Sequence, residues 1–243
     1  MTEQEWRRVF GQVVRDGVLT PEFERFFSTR FTKARARLSL VQLGLFIRHR
    51  RDCWAFLSGN CPEMSVKQKI LRHEYEEIIK DQYTEHGHLE LIVQQGKALG
   101  MTAEEALNGT PLPTTWATLY GWGWLCRERH WLEALGALMA TEWGNDDRLF
   151  ADVGGGISRR EGVRWVEDLG LAWEDIPNLA VHAEADEEHA EMFVSAVAEF
   201  ARGPEMEARV LAAARESLDL YRVFRGGLAD AMAPLPWAGE EAK

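Results

Sequence analysis

The sequence has few cysteines and lacks any segment long and apolar enough to span a membrane. Its 243 residues include three cysteines, Cys53, Cys61 and Cys126, with neither a metal-type CxxC pair nor the even set typical of a disulfide framework. No apolar run reaches the 18 residues that a membrane helix requires, and the N-terminal residues MTEQEWRRVFGQVV lack the apolar core of a signal peptide. We therefore expect a cytoplasmic protein, in a reducing compartment, without a membrane partner.

An excess of basic residues is also absent. The chain has 28 lysines and arginines against 39 acidic residues, which gives a formal net charge of -11. A negative surface repels phosphate backbones and anionic lipids, so nucleic acid is not expected as the main partner. The hydrophobic fraction of 46% is ordinary for a globular protein with a sizeable core.

An alternating strand pattern of useful length is missing too, and most segments follow a helical period. These patterns predict an all-α, single-domain helical bundle of about seven to nine helices over residues 1–235, with a flexible tail at 236–243. The predicted helices cover residues 4–16, a helix beginning at Pro21, 32–58, 65–99 as one helix or two end to end, a short helix after Thr102, 114–150, 158–169, 177–202 and 205–232.

The segment from His182 to His189 carries the strongest chemical pattern. On a helix, steps of four and seven residues nearly complete whole turns, so His182, Asp186 and His189 should project from one face. Two imidazoles and a carboxylate form a mixed nitrogen and oxygen set that suits iron, manganese or zinc. The alternative is a solvated acidic face, because Glu184 and Glu187 lie among them.

Two other predicted helices offer partners for this face. Glu85 and His88 stand in an ExxH arrangement, which places both on one face of a helix; Asp81 is the competing carboxylate on that face. Glu142 lies in an otherwise apolar stretch, where an acid must either reach solvent or meet a cation. The combined set suits two iron ions with an open position for dioxygen: Glu85, His88, Glu142, His182, Asp186 and His189.

This order of residues resembles the ligand signature of the heme-oxygenase-like di-metal oxidases and oxygenases. The segments that carry the likeness are the one from His88 to Met101 and Val181-His182-Ala-Glu-Ala-Asp186-Glu-Glu-His189. The resemblance covers most of the chain. It implies the helical fold shared with heme oxygenase, the TenA thiaminases and the PQQ-synthesis oxidase, and it departs from most members in the spacing of the first glutamate.

The resemblance further implies two Fe(II) ions per chain and O2 as cosubstrate. The expected substrate is a small aliphatic molecule, an amino acid first, with desaturation, C–C cleavage, cyclisation and N-oxygenation as open outcomes in natural-product biosynthesis. An external electron donor and a homodimer are further expectations.

Several alternatives stay open within the same fold. A fatty-acid decarboxylase that forms a terminal alkene would use the same ligands, and a TenA-like hydrolase would need a cysteine nucleophile, for which Cys126 is the candidate. A non-catalytic interaction protein would need no inward carboxylates. Heme is disfavoured, because the first histidine, His49, lies far from the N-terminus.

Overall fold

The computed structural model describes residues 1–80 and 82–236, and within 184–190 it describes the helical backbone without the side chains. These residues form twelve α-helices and two short 3-10 helices, the latter at Asp147–Val153 and Trp173–Asp175. The α-helices are α1 (Glu3–Val18), α2 (Pro21–Ser28), α3 (Lys33–Asn60), α4 (Met64–Ile78), α5 (His88–Ala98), α6 (Ala103–Leu107), α7 (Pro113–Glu128), α8 (Trp131–Trp143), α9 (Ile157–Leu169), α10 (Pro177–Met192), α11 (Val194–Phe200) and α12 (Pro204–Met232).

The all-helical class is confirmed, but the expected number of seven to nine helices is too low for the described residues. Residues 65–99, predicted as one helix or two end to end, form two helices, of which one ends at Ile78 and the next begins at His88. Two further segments that the periodicity joined are divided, at residues 129–130 and at Phe193. The break at 129–130 has a local cause, because the His130 side chain accepts a hydrogen bond from the Leu132 N–H and starts a new helix. The periodicity of apolar residues does not reveal such a helix start, since apolar residues continue on both sides of it.

Helix α12 lies at the centre of the packing and contacts α1, α2, α7 and α8. Its inward side chains, Leu218 and Phe224 among them, are fully buried, and each contributes about 1.5–3 kcal/mol by leaving water. Two polar side chains within this core are paired: Trp122 of α7 donates to the Ser217 hydroxyl (2.8 Å), which donates to the Ala137 carbonyl of α8 (2.6 Å). The chain therefore joins α7, α8 and α12 by specific hydrogen bonds as well as by apolar contact.

Five helices surround the candidate site. Helix α10 packs on α5 and α8, and α3 packs on α4, α5 and α8. Across the described parts of the chain, none of the helices combines the length and apolar character needed to cross a bilayer. Residues 237–243, most of the segment that the sequence predicts as a tail, lie outside the described residues, so that prediction stays a prediction.

Candidate metal centre

Glu77, His88 and His182 come together from α4, α5 and α10. One ligand atom from each lies within 4.8 Å of the other two. His88 Nδ1 is 2.9 Å from Glu77 Oε2, and the His88 and His182 rings meet edge to face with their centroids 4.5 Å apart. Glu77 and His88 are buried, so this carboxylate and imidazole face each other away from bulk water.

The break between α4 and α5 creates this contact. Helix α4 ends at Ile78 and α5 begins at His88, with Gly87 as its N-cap residue. A Cβ atom at Gly87 would lie 2.0 Å from the Ile78 carbonyl oxygen, so only glycine lets the start of α5 pass so close to the end of α4. The chain thus returns His88 to the last turn of the helix that carries Glu77.

His182 is held in the form that binds a metal. Its Nδ1 lies 2.8 Å from the Asn178 carbonyl oxygen, which can only accept a hydrogen bond, so Nδ1 carries the proton and Nε2 has the free lone pair. Burial, and next the nearby His88, lower the pKa of His182 to about 4, although Glu77 opposes the shift. The ring is therefore neutral at pH 7.

Arg51 of α3 supplies the positive charge beside Glu77. Its Nη1 lies 2.8 Å from Glu77 Oε2 and 3.2 Å from Glu74 Oε1. Burial would raise the pKa of the Glu77 carboxyl, but the Arg51 guanidinium and His88 hold it well below its usual range. Glu77 is thus an anion, which is the state that a cationic ligand site needs.

Glu142 of α8 lines the same cavity as Glu77 and His182, which has a volume of about 30 Å³. It is 8% exposed, and its Oε1 accepts a hydrogen bond from Arg50 Nη2 at 2.9 Å. Arg50 also donates to the Leu138 carbonyl one turn earlier on α8. A second carboxylate therefore faces the cluster from the opposite helix, balanced by the arginine next to Arg51.

Of the residues predicted from the sequence, the structure brings together His88 and His182, and it places Glu142 on the same cavity. It does not bring Glu85 there: this side chain is 78% exposed and pairs with Lys80 at 2.9 Å. Helix α5 begins only at His88, and Glu85 precedes it, so the ExxH spacing does not put Glu85 on the face of His88. The competing Asp81 lies outside the described residues, as do the side chains of Asp186 and His189.

Glu77 is the site residue that the sequence analysis missed, and the sequence did carry a signal for it. The buried positions of α4 are Val66, Ile70, His73 and Glu77, which repeat at helical spacing. A glutamate that continues an apolar face is costly to bury without a counter-charge, as Glu142 also illustrates. The same argument applied to residues 64–78 would have selected Glu77.

These residues fit iron. A carboxylate and two imidazoles, with one imidazole fixed as the Nδ1–H form by a backbone carbonyl, make the mixed oxygen and nitrogen set that non-heme iron takes. The anionic state of Glu77 and the neutral state of His182 at pH 7 remove the competition from protons.

Solved structures that resemble this one share a fold. A domain of unknown function with a heme oxygenase-like fold from Shewanella denitrificans OS217 matches with a TM-score of 0.73 at 15% identity, covering 95% of this chain and 93% of that chain. A CADD-like protein of unknown function from Nostoc punctiforme PCC 73102 matches with 0.71 at 17% identity, covering 94% and 97%. A TenA homolog from Pseudomonas syringae pv. tomato str. DC3000 matches with 0.67 at 13% identity, covering 93% and 92%.

At these identities the structural matches establish the fold, which is heme oxygenase-like. A comparison with curated protein sequences gave no significant match. A family model described as iron-containing redox enzyme matches residues 40–222, a range that includes Glu77, His88, Glu142 and His182. The chain therefore belongs to this family of iron-containing redox enzymes.

Proposed function

We propose that the protein is an O2-dependent non-heme diiron oxidase or oxygenase that acts on a small aliphatic substrate, with an amino acid as the first candidate. The observation that carries this proposal is the meeting of Glu77, His88 and His182 in a largely buried place. Buried charges of this kind are costly unless they are paired or bind a metal. The family of the chain makes iron the metal to test.

Glu77, His88 and His182 would hold one Fe(II) ion. Glu142 lies across the cavity and would hold a second, together with Asp186 and His189, which the sequence resemblance supplies. Bound iron would supply dioxygen binding and one-electron redox steps. The chain contributes the rest: the Asn178 carbonyl orients His182, and Arg50 and Arg51 hold the two carboxylates toward the cavity.

The size of the cavities favours a small substrate. Two adjoining cavities of about 30 Å³ each share five wall residues, three of them the apolar or aromatic side chains of Phe46, Ile47 and Tyr221. These two cavities favour a short aliphatic molecule; a third cavity of about 380 Å³ also reaches Glu77 and Arg51, so decarboxylation of a fatty acid is kept as the alternative. Desaturation, C–C cleavage, cyclisation and N-oxygenation all fit an enzyme of natural-product biosynthesis, with electrons from an external donor.

One observation favours a second candidate. Two imidazoles and one carboxylate are by themselves the facial set of mononuclear non-heme Fe(II) oxygenases. Glu142 is already balanced by Arg50, and a second ion would have to compete with that guanidinium. A mononuclear iron oxygenase is therefore the alternative that the test must separate from the diiron enzyme.

The test is an anaerobic titration of the purified chain with Fe(II) against a chromophoric chelator, followed by exposure to O2 with a panel of amino acids and fatty acids. Two tightly bound ions per chain and substrate-dependent O2 uptake are the expected result. One ion per chain supports the mononuclear enzyme instead. Trace iron that His182→Ala does not change would refute both and favour a TenA-like hydrolase or an interaction protein.

A further inference from the structure

The third cavity, of about 380 Å³, is lined by residues from the end of α4, the start of α5 and the middle of α3. Its volume falls within the ~300–1,000 Å³ that is usual for small-molecule sites. It shares Glu77 and Arg51 with the first of the two small cavities, so it reaches a carboxylate of the candidate metal centre. Its apolar wall is formed by Leu89 with Ile78 and Ile79, two isoleucines that are each 52% exposed. The cavity thus joins an aliphatic surface to the iron site.

Most of the charged residues around the third cavity already have a partner. Arg51 Nη1 lies 2.8 Å from Glu77 Oε2. Glu90 Oε2 lies 3.1 Å from His86 Nδ1. Two charged residues of the lining remain, and they lie one helical turn apart on α3.

Arg48 and Asp52 are these two residues, and neither charge is neutralised by the fold. Arg48 Nη2 donates to the Leu107 carbonyl at 2.9 Å and to Asn108 Oδ1 at 3.1 Å, both of them neutral oxygens at the end of α6. Its Nε and Nη1 donate to no residue that the structure describes, and Asp52 has neither a hydrogen bond nor an ion pair among those residues. Charged residues four apart on a helix can pair with each other, but Arg48 is bonded to α6 instead.

The spacing of these two charges matches a single head group. The Cβ atoms of residues four apart on a helix lie about 5–6 Å from each other. An α-amino acid carries its carboxylate and its ammonium on the same carbon, so one molecule can accept from Arg48 and donate to Asp52 at once. Hydrogen bonds between ionised groups are stronger than those between neutral ones.

We infer that the third cavity binds an α-amino acid with an aliphatic side chain, whose carboxylate accepts from Arg48 and whose ammonium donates to Asp52. The aliphatic side chain lies against Ile78 and Leu89, in the cavity that Glu77 also lines. The inference rests on the proposed function, since it names the substrate class for the same iron site. Arg48 and Asp52 are specificity residues in it and are not metal ligands.

A fatty acid fits these charges less well than an amino acid does. Its carboxylate can accept from Arg48, but it has no cation for Asp52. The lining as a whole has two arginines against the three acids Asp52, Glu77 and Glu90. This excess of negative charge favours a ligand that carries an ammonium group.

The test is isothermal titration calorimetry on the full, metal-free chain with a chelator present, which measures binding without turnover. The probes norleucine, hexanoate and pentylamine share a five-carbon chain and carry both charged groups, the carboxylate alone and the ammonium alone. Dodecanoate represents a long fatty acid. We expect norleucine to bind about fivefold more tightly than either short analogue, which is the gain from one partly exposed ion pair.

Two substitutions test the two ends of the head group separately. Asp52→Asn removes a charge with little change in shape, so it should weaken norleucine binding about fivefold and should not weaken hexanoate binding. Arg48→Met should weaken the binding of norleucine and hexanoate but not of pentylamine. Both side chains are exposed, so the variants should fold. Asp16→Asn, which changes an exposed aspartate of α1 outside the cavity, is the matched control and should bind all probes as the wild type does.

Equal affinities of the wild type for norleucine and hexanoate, or an equal loss of both in Asp52→Asn, would overturn the inference. Dodecanoate that competes with norleucine and binds more tightly would also overturn it, in favour of the fatty-acid alternative. The iron titration is independent of these results. A chain that binds two iron ions but not norleucine retains the proposed function and refutes this inference, whereas norleucine binding that depends on Asp52, in a chain without tight iron binding, does the reverse.

Discussion

Two buried charged clusters in this protein differ in what their groups can still do. The Glu161 cluster joins Glu161 of α9, Arg225 and Tyr221 of α12 and Ser39 of α3. Arg225 Nη1 donates to Glu161 Oε2 at 2.7 Å, Ser39 donates to Oε1 at 3.1 Å, and Arg225 Nη2 donates to the Tyr221 hydroxyl. The Arg225 guanidinium also lies over the Phe26 ring, 4.6 Å from its centroid. The charge of Glu161 is balanced by Arg225 within the cluster.

The Glu77 cluster, formed by Arg51, Glu77, His88 and His182, does not close in this way. Arg51 balances Glu77, but the cluster also contains two imidazoles, and their nitrogens and the carboxylate oxygen converge within 4.8 Å. The neutral His182 imidazole contributes a lone pair rather than a charge, so the Glu77 cluster retains the capacity to bind a cation. Buried charges that balance each other are typical of structural residues, whereas convergent imidazoles beside a carboxylate are typical of a metal site.

The largest effect on stability is expected from disruption of the Glu161 cluster. Glu161→Gln leaves the Arg225 guanidinium buried without its counter-charge, which should lower the free energy of unfolding by about 3–5 kcal/mol. Urea unfolding of the metal-free chain measures it. Iron affinity of the folded variant should equal that of the wild type. A comparable loss of iron binding would show that the two clusters are not functionally distinct.

The next largest effect is expected on iron binding at the Glu77 cluster. His88→Ala removes one imidazole and should weaken Fe(II) binding by at least about 100-fold, because even groups that only orient metal ligands contribute 10–100-fold. Competition with a chelator measures the affinity. His86→Ala is the matched control, since His86 is 45% exposed and contacts Glu90 instead. Equal affinities for the two variants would remove His88 from the site.

Low pH should lower the stability of the folded chain through His182 in the Glu77 cluster. The pKa of this residue is about 4 in the folded chain against a reference of 6.5, so between these values the unfolded state binds more protons. Stability of the metal-free chain should therefore fall as pH drops from 6.5 toward 4, by about 1 kcal/mol per pH unit from this group. Urea unfolding at pH 7, 6 and 5 measures it.

The groups that act on His182 in this range are His88, Glu77 and Glu142, with the Asn178 carbonyl. His182→Gln keeps a polar side chain but does not titrate, so its stability should depend less steeply on pH. Parallel curves for this variant and the wild type would contradict the prediction.

The smallest effect is expected at Glu85, the carboxylate predicted from the sequence, in comparison with Glu77, the carboxylate that contacts His88 in the structure. Glu85→Gln should leave iron affinity and stability unchanged, because Glu85 is exposed and pairs with the surface residue Lys80. Glu77→Gln, the same chemical change in a buried place, should weaken iron binding. The opposite ranking in the chelator assay would favour the spacing seen in the sequence over the contact seen in the structure.

Part of the site could be predicted from spacing along the chain. His182 was selected because of its residue type and helical period, and Glu142 because an acid in an apolar stretch needs a partner. Glu77 lies outside the predicted set because the ExxH spacing predicts Glu85 and His88 on one helix, whereas α5 begins at His88. The arginines Arg50 and Arg51 could not have been assigned, since each meets its carboxylate across 26 or more residues of sequence.

The helical class, the net negative charge and the presence of imidazoles and carboxylates in segments able to meet can all be predicted from the sequence. Those properties follow from composition and from a period of a few residues, which local physics enforces. Which carboxylate lies against His88 depends on the tertiary structure, because it is the packing of α5 on α4 that brings His88 to Glu77. The pairing of Arg50 with Glu142 also depends on it, since the packing of α3 on α8 depends on the whole core.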